Sequence, residues 1–299
     1  MKLGNVVTAM VTPFNEEGHV AVDQLKPLLD ELIHRGTEAV IVGGTTGESA
    51  TLSMQEKALL YREAVRAAEG RIPVIAGTGM NDTYATAELS KQAAADGADG
   101  IMLVAPYYNK PSQKGIYEHF KTIAEQVDTP VMLYNVPGRT MVNMLPETTI
   151  ALSEVPNITC VKEASGNLDQ MTAVIAGVPD DFTVYTGDDS LTLPSVAVGA
   201  DGVVSVSSHI IGAGMQEMIQ AYRNGSTAHA AALHQQLVPF MKAMFLAPSP
   251  APVKAALAMQ GIHTGPVRLP LIPLSEEEHA VVAQALDTLT SREHQPFTG

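Results

Sequence analysis

The chain has 299 residues, an apolar fraction of 45% and a formal net charge of −14. That length suits two ordinary domains or one α/β barrel of about 250 residues, and the apolar content is that of a globular protein with a large core. An acidic balance without any lysine/arginine cluster argues against nucleic acid and anionic membranes as partners, and the single Cys160 excludes an intramolecular disulfide and a cysteine-based metal site.

No run approaches about 18 uninterrupted apolar residues, so no membrane span is predicted. Residues 1–5 lead directly into a strand-like run without the apolar core of a signal peptide, and a cytoplasmic, reducing setting is expected. Strands are predicted at 6–11, 39–43, 73–77, 100–105, 130–134, 158–162, 182–186 and 202–206. They are near-continuous apolar runs, the pattern of parallel strands covered on both faces. Amphipathic segments alternate with them. In 23–35, Leu25, Leu28, Leu29 and Ile33 follow helical spacing, and 55–69 behaves likewise. Gly36, Gly70 and Gly97 sit where left-handed helix caps would precede the next strand. Eight successive strand–helix units predict a (β/α)8 TIM barrel over residues 1–225, with 214–224 as the eighth outer helix. A doubly wound open sheet is the alternative, but the chain has neither a dinucleotide glycine fingerprint nor a phosphate-cradling P-loop. Residues 226–299 read as a C-terminal helical appendage, broken by proline-rich stretches at 247–252 and 268–273.

In such a barrel the chemistry sits at the C-terminal ends of the strands. Strand two runs into Gly43-Gly44-Thr45-Thr46-Gly47-Glu48-Ser49, whose glycines let backbone N–H groups approach a carboxylate and whose threonine hydroxyls can donate hydrogen bonds or pass protons. Strand four ends in Ala105-Pro106-Tyr107-Tyr108-Asn109-Lys110-Pro111, a tyrosine pair in a chain with 8 tyrosines. Strand five ends in Tyr134-Asn135-Val136-Pro137-Gly138-Arg139-Thr140. A tyrosine there can act as general acid/base, and an arginine five residues on can grip a carboxylate bidentately. Strand six closes on Lys162, either a lysine snorkelling into solvent or a Schiff-base nucleophile, since burial favours the neutral amine that attacks carbonyls. Strand seven leads into Gly187-Asp188-Asp189, whose carboxylates would repel a phosphate, so an unphosphorylated substrate is expected. Strand alternation turns Glu163 away from Lys162. The 9 histidines form no His-x-His or His-Glu-x-x-His pattern, and only His209 lies just past a strand end, so no metal is expected.

The segments 44–52, 106–111, 134–140 and 161–164 together resemble the dihydrodipicolinate synthase family of pyruvate-dependent class I aldolase-type lyases, and the likeness runs over essentially the whole chain. The resemblance implies a Schiff base between Lys162 and pyruvate, with no separate cofactor, and attack of the resulting enamine on L-aspartate-4-semialdehyde in lysine and diaminopimelate biosynthesis. It also implies Tyr134 as proton donor and acceptor, Thr45 and Tyr108 as its relay partners, and Thr46 on the pyruvate carboxylate. Arg139 would hold the carboxylate of the second substrate, and Gly187 and Val204 would line the pocket. One tyrosine of the pair Tyr107 and Tyr108 would cross a tight dimer interface, and a homotetramer built from two such dimers is the common family assembly. N-acetylneuraminate lyases and sugar-acid aldolases share the lysine and are the alternative; they usually lack the Gly138-Arg139-Thr140 signature. Lysine-sensitive relatives bind their inhibitor through histidines and a glutamate. Met54, Lys57 and Ala85 stand at the matching positions here, while Ser49, Asn81 and Tyr107 are retained, so weak or absent lysine inhibition is expected.

Overall fold

All eight predicted strands form: β1 (Val6–Ala9), β2 (Ala39–Val42), β3 (Val74–Gly77), β4 (Gly100–Val104), β5 (Val131–Asn135), β6 (Ile158–Glu163), β7 (Thr183–Thr186) and β8 (Gly202–Ser205). In this computed structural model, which describes residues 1–292, each strand pairs in parallel with its sequence neighbour and β8 closes on β1. Residues 293–299 of the predicted appendage, including His294, lie outside the described residues. Closure removes every sheet edge. Side chains then sort by alternation into two layers. Val7, Ile41, Ile75, Met102, Met132, Cys160 and Tyr185 fill the barrel, whereas Val6, Val40, Val74, Ile101, Val131 and Val161 meet the helices outside.

The outer helices are α1 (Leu25–His34), α2 (Met54–Ala68), α3 (Thr83–Ala95), α4 (Gln113–Ala124), the single turn α5 (Pro137–Thr140), α6 (Pro146–Ser153), α7 (Leu168–Gly177), α8 (Thr192–Ala197) and α9 (Ser208–Arg223). On α1 the face against the barrel is Leu25, Leu28, Leu29 and Leu32, with Ile33 only half-buried. Burying each leucine contributes about 1.5–3 kcal/mol. Ser53 and Glu56 close a reciprocal capping box on α2. Gly36, Gly70 and Gly97 take φ values of +90°, +69° and +90°, as the cap reading requires. The predicted last barrel helix, 214–224, is longer than expected and begins at Ser208. Its first turns carry Gly212, which masks the helical pattern but is needed because a Cβ there would stand 2.4 Å from the Arg35 carbonyl oxygen.

Three helices follow: α10 (Thr227–Ala243), α11 (Ala251–Met259) and α12 (Glu276–Arg292). α10 lies along α9 and also reaches α8, so the appendage folds back over the end of the barrel where β7 and β8 emerge. No helix among the described residues is long and apolar enough to cross a membrane.

Candidate active site

The register of β5, β6 and β7 sets Tyr134 opposite Lys162 and Lys162 opposite Tyr185. Lys162 shares its inward direction with Cys160 two residues earlier, so the ammonium stem rises from the barrel interior. The side chain does not snorkel. Lys162 is 6% exposed, and its Nζ stands 4.3 Å from the centroid of the Tyr134 ring. Glu163 faces the other way, as alternation predicts. Its carboxylate accepts hydrogen bonds from the Ser165 N–H (2.8 Å), the Asn135 amide (3.1 and 3.2 Å) and the Gln170 amide (3.1 Å). Asn135 in turn binds the Asn143 side chain and the Met144 backbone, so a buried polar latch ties the end of β5 to β6 behind the site.

Two inward tyrosines flank Lys162, and their surroundings separate them. The Tyr185 hydroxyl accepts the Leu3 N–H at the bottom of the barrel (2.9 Å), and burial pushes that phenol up. Tyr134 lines the open cavity above Lys162, and no protein group among the described residues engages its hydroxyl. Gly187, at the end of β7, leaves room for the lysine: a Cβ there would come within 2.7 Å of Lys162 Cε and of Ala164 Cβ. Deeper in the barrel, burial raises the Cys160 thiol to about 12, which keeps it inert.

The cavity encloses about 530 Å³ at the C-terminal ends of the strands. Thr45, Thr46, Tyr134, Arg139, Lys162 and Gly187 all line it. Thr46 is buried and Thr45 exposed, and neither hydroxyl is taken by a protein partner among the described residues. Arg139 projects from α5 at the rim, where Pro137 at the first turn starts the helix. Among the described residues the lining carries three basic side chains, Lys162, Arg139 and Lys242, and one carboxylate, Asp188, so the cavity suits small anions.

Two expected site residues lie elsewhere. Val204 is buried inside the barrel one layer below the floor, and Val206, two residues further along the same face, forms the wall. Tyr108 is 89% exposed in a left-handed backbone conformation (φ 74°) and does not reach its own chain's cavity. Of the two acids after β7, only Asp188 faces the cavity. Asp189 is buried, its carboxylate accepts the Ser207 N–H (2.7 Å) and the Val206 N–H (3.3 Å), and burial raises it. His209 is committed to the scaffold: Nδ1–H donates to the Val206 carbonyl (2.7 Å), Nε2 accepts the Val11 N–H (3.1 Å), and burial lowers it to about 4. Among the described residues no group of three or more His, Cys, Asp or Glu is placed to hold a metal ion.

The appendage supplies wall residues that sequence reasoning overlooked: Met241, Lys242, Phe245 and Ser249 close one side of the cavity. Ser249 is 6% exposed and its hydroxyl has no partner among the described residues. The proline-rich break at 247–252 was the available signal, since it turns the chain back over the barrel between α10 and α11. Together these groups place a buried primary amine, a free phenol, three free hydroxyls and a guanidinium around one small space, the equipment for capturing a keto acid as an imine and holding a second anion above it.

A model of the dihydrodipicolinate synthetase family matches residues 2–289. The chain is 55% identical over 289 residues to a 4-hydroxy-tetrahydrodipicolinate synthase of Bacillus velezensis, covering 97% of this chain and 100% of that one. Among solved structures it is similar to a dihydrodipicolinate synthase of Bacillus anthracis, with a TM-score of 0.95, 51% identity, and 99% and 100% of the two chains covered. It is also similar to the chloride-inhibited dihydrodipicolinate synthase of Acinetobacter baumannii in complex with pyruvate, with a TM-score of 0.93, 39% identity, and 97% and 99% covered. A family match over nearly the whole chain, and a barrel that brings Lys162, Tyr134, Thr45, Thr46 and Arg139 around one cavity, place this chain in the dihydrodipicolinate synthetase family.

Proposed function

We propose that Lys162 captures pyruvate as an imine and that the derived enamine condenses with L-aspartate-4-semialdehyde, as a 4-hydroxy-tetrahydrodipicolinate synthase does. The observation that carries this reading is the Lys162 amine buried on the cavity floor 4.3 Å from the Tyr134 ring, with Arg139 at the rim. The amine attacks the keto carbon of pyruvate, and water leaves as the imine forms. Loss of a methyl proton gives the enamine, whose carbon attacks the aldehyde. The amino group of the second substrate then closes on the imine carbon and releases Lys162 as a free amine. Tyr134, backed by Thr45, moves the protons, and Thr46 holds the pyruvate carboxylate.

Arg139 selects the partner. Arg139→Ala removes a charge-assisted contact of about 1.5–3 kcal/mol, so the KM for aspartate semialdehyde is expected to rise roughly tenfold to hundredfold. Borohydride trapping of pyruvate on Lys162 should remain intact. Normal processing of both substrates would remove the role given to Arg139. The wild-type protein should turn over aspartate semialdehyde and leave N-acetylneuraminate untouched; the reverse would overturn the proposal.

Tyr108 completes the relay of a neighbouring subunit, and the chain works at least as a dimer and, with the family's usual assembly, as a homotetramer. This rests on its solvent-facing, left-handed conformation outside its own cavity, a geometry that costs about 1–2 kcal/mol and persists where a contact holds it. The same end of the barrel presents Tyr84, Met141 and Leu145 to solvent. Lysine is expected to inhibit weakly or not at all. Met54, Lys57 and Ala85 offer its ammonium no carboxylate, and Lys57 is itself a buried amine whose pKa burial lowers. Strong inhibition by lysine at roughly millimolar levels in a steady-state assay would refute this.

A further inference from the structure

Thr45 and Thr46 sit on a loop that cannot hold its own shape. Glu48 donates its N–H to the Thr45 carbonyl (3.0 Å), which closes the turn carrying both threonines. To do so it adopts φ 56° and ψ 37°, a left-handed conformation that L side chains rarely take. Glu48 is also 3% exposed, so a carboxylate is buried in the strained turn that carries the cavity-lining Thr45 and Thr46.

What holds it comes from the appendage, over 200 residues away in sequence. The Lys254 ammonium of α11 pairs with Glu48 Oε1 at 2.9 Å, off the hydrogen-bonding direction. The Arg268 backbone N–H donates to Glu48 Oε2 at 2.8 Å. Both cations are fixed in turn. Lys254 donates to the Pro266 carbonyl (2.9 Å), and Arg268 donates to the Gly18 and Thr51 carbonyls (2.8 Å each) and pairs with Glu56 on α2. The Phe14 ring lies between them, 4.4 Å from Lys254 Nζ and 4.3 Å from the Arg268 guanidinium carbon. The Phe14 N–H is bound by the Thr264 carbonyl (3.0 Å), and a Cβ on Gly265 would collide with the Phe14 carbonyl. A buried carboxylate is tolerated only when paired, so an anchor this complete on a strained residue has a use beyond stability.

We infer that Glu48, Lys254 and Arg268 are positioning residues for the keto-acid carboxylate: the appendage, through the Lys254–Glu48 pair, sets the Thr45–Thr46 turn at the height at which Thr46 receives the carboxylate of the imine-forming substrate. The inference rests on the assignment of Thr46 made above. None of the three touches substrate; they act through the turn.

The test is steady-state kinetics on full-length Lys254→Met, Lys254→Arg and Thr46→Val proteins, with thermal melting of each. Lys254→Met should raise the KM for pyruvate about tenfold, while kcat at saturating pyruvate and the KM for aspartate semialdehyde change less than about threefold. Lys254→Arg, which keeps the charge, should recover the pyruvate KM to within about threefold of wild type. A merely structural role lowers the melting temperature and the active fraction, which reduces kcat and leaves KM alone. A pyruvate KM within about twofold of wild type in folded Lys254→Met therefore overturns the inference, whatever its melting temperature. If Lys254→Met gives no soluble protein, Glu48→Gln decides on the same KM readout. Thr46→Val separates the two levels. If it leaves the pyruvate KM unchanged, the Thr46 assignment falls. If it raises that KM and Lys254→Met does not, only the appendage inference falls.

Discussion

Lys162→Ala is expected to abolish covalent capture of pyruvate and to lower turnover on the order of 10³-fold or more, because the amine that forms the imine has no substitute on the cavity floor. Wild-type protein treated with pyruvate and borohydride should gain the mass of one reduced pyruvate, and peptide mapping should place it on Lys162. The variant should gain nothing. Its fold should survive, since the substitution removes a buried amine rather than a packed apolar group, and the interior below is closed by Cys160 and Tyr185. An adduct that persists in Lys162→Ala would mean that a different amine reacts; among the described residues Lys242 at the rim is the other lysine lining the cavity.

The second large effect is expected from Tyr134→Phe. The ring stays against Lys162, so pyruvate should still bind and be trapped, only more slowly. What disappears is the phenol, whose hydroxyl no protein group among the described residues engages. General acid/base catalysis typically contributes about 10²–10⁴-fold, and the loss should fall on kcat in that range with little change in pyruvate KM or melting temperature. The parallel change Tyr185→Phe supplies the contrast. That hydroxyl accepts the Leu3 N–H at the far end of the barrel, so its removal should leave kcat near wild type. If Tyr134→Phe retains more than about a tenth of wild-type kcat, the proton-transfer role passes to another group.

The barrel was legible because parallel strands buried on both faces leave near-continuous apolar runs, and most of the runs here are bounded by polar or glycine residues. Lys162 stood out for the same reason: a cation closing such a run has few places to go. The direction of Glu163 followed from alternation alone. Depth did not. Val204 and Val206 share a face, and a period of two says which side a residue points to but not how far up the barrel the floor lies. The contribution of Lys242, Phe245 and Ser249 was hidden because α10 meets the strand ends only after the chain has folded back, and the proline-rich break at 247–252 marks a turn without saying where the chain lands. Tyr108 shows a further limit: a tyrosine after a strand end reads from sequence as a rim residue, whereas the structure leaves it exposed outside its own chain's cavity. The Glu48 turn was visible as a glycine-rich loop, but its anchor lies in segments remote in sequence.

The two faces of β6 have a consequence for how this chain can be altered. Lys162 looks inward to the substrate, while Glu163 looks outward to a latch of Asn135, Asn143 and Gln170. Variation on the outer face would alter the packing behind Lys162 without changing any residue that lines the cavity. Variation on the inner face would change the chemistry directly. A library confined to residues 143 and 170 would thus retune an existing reaction, whereas one confined to the cavity wall would recruit new acceptors, and the two can be searched in separate rounds of selection.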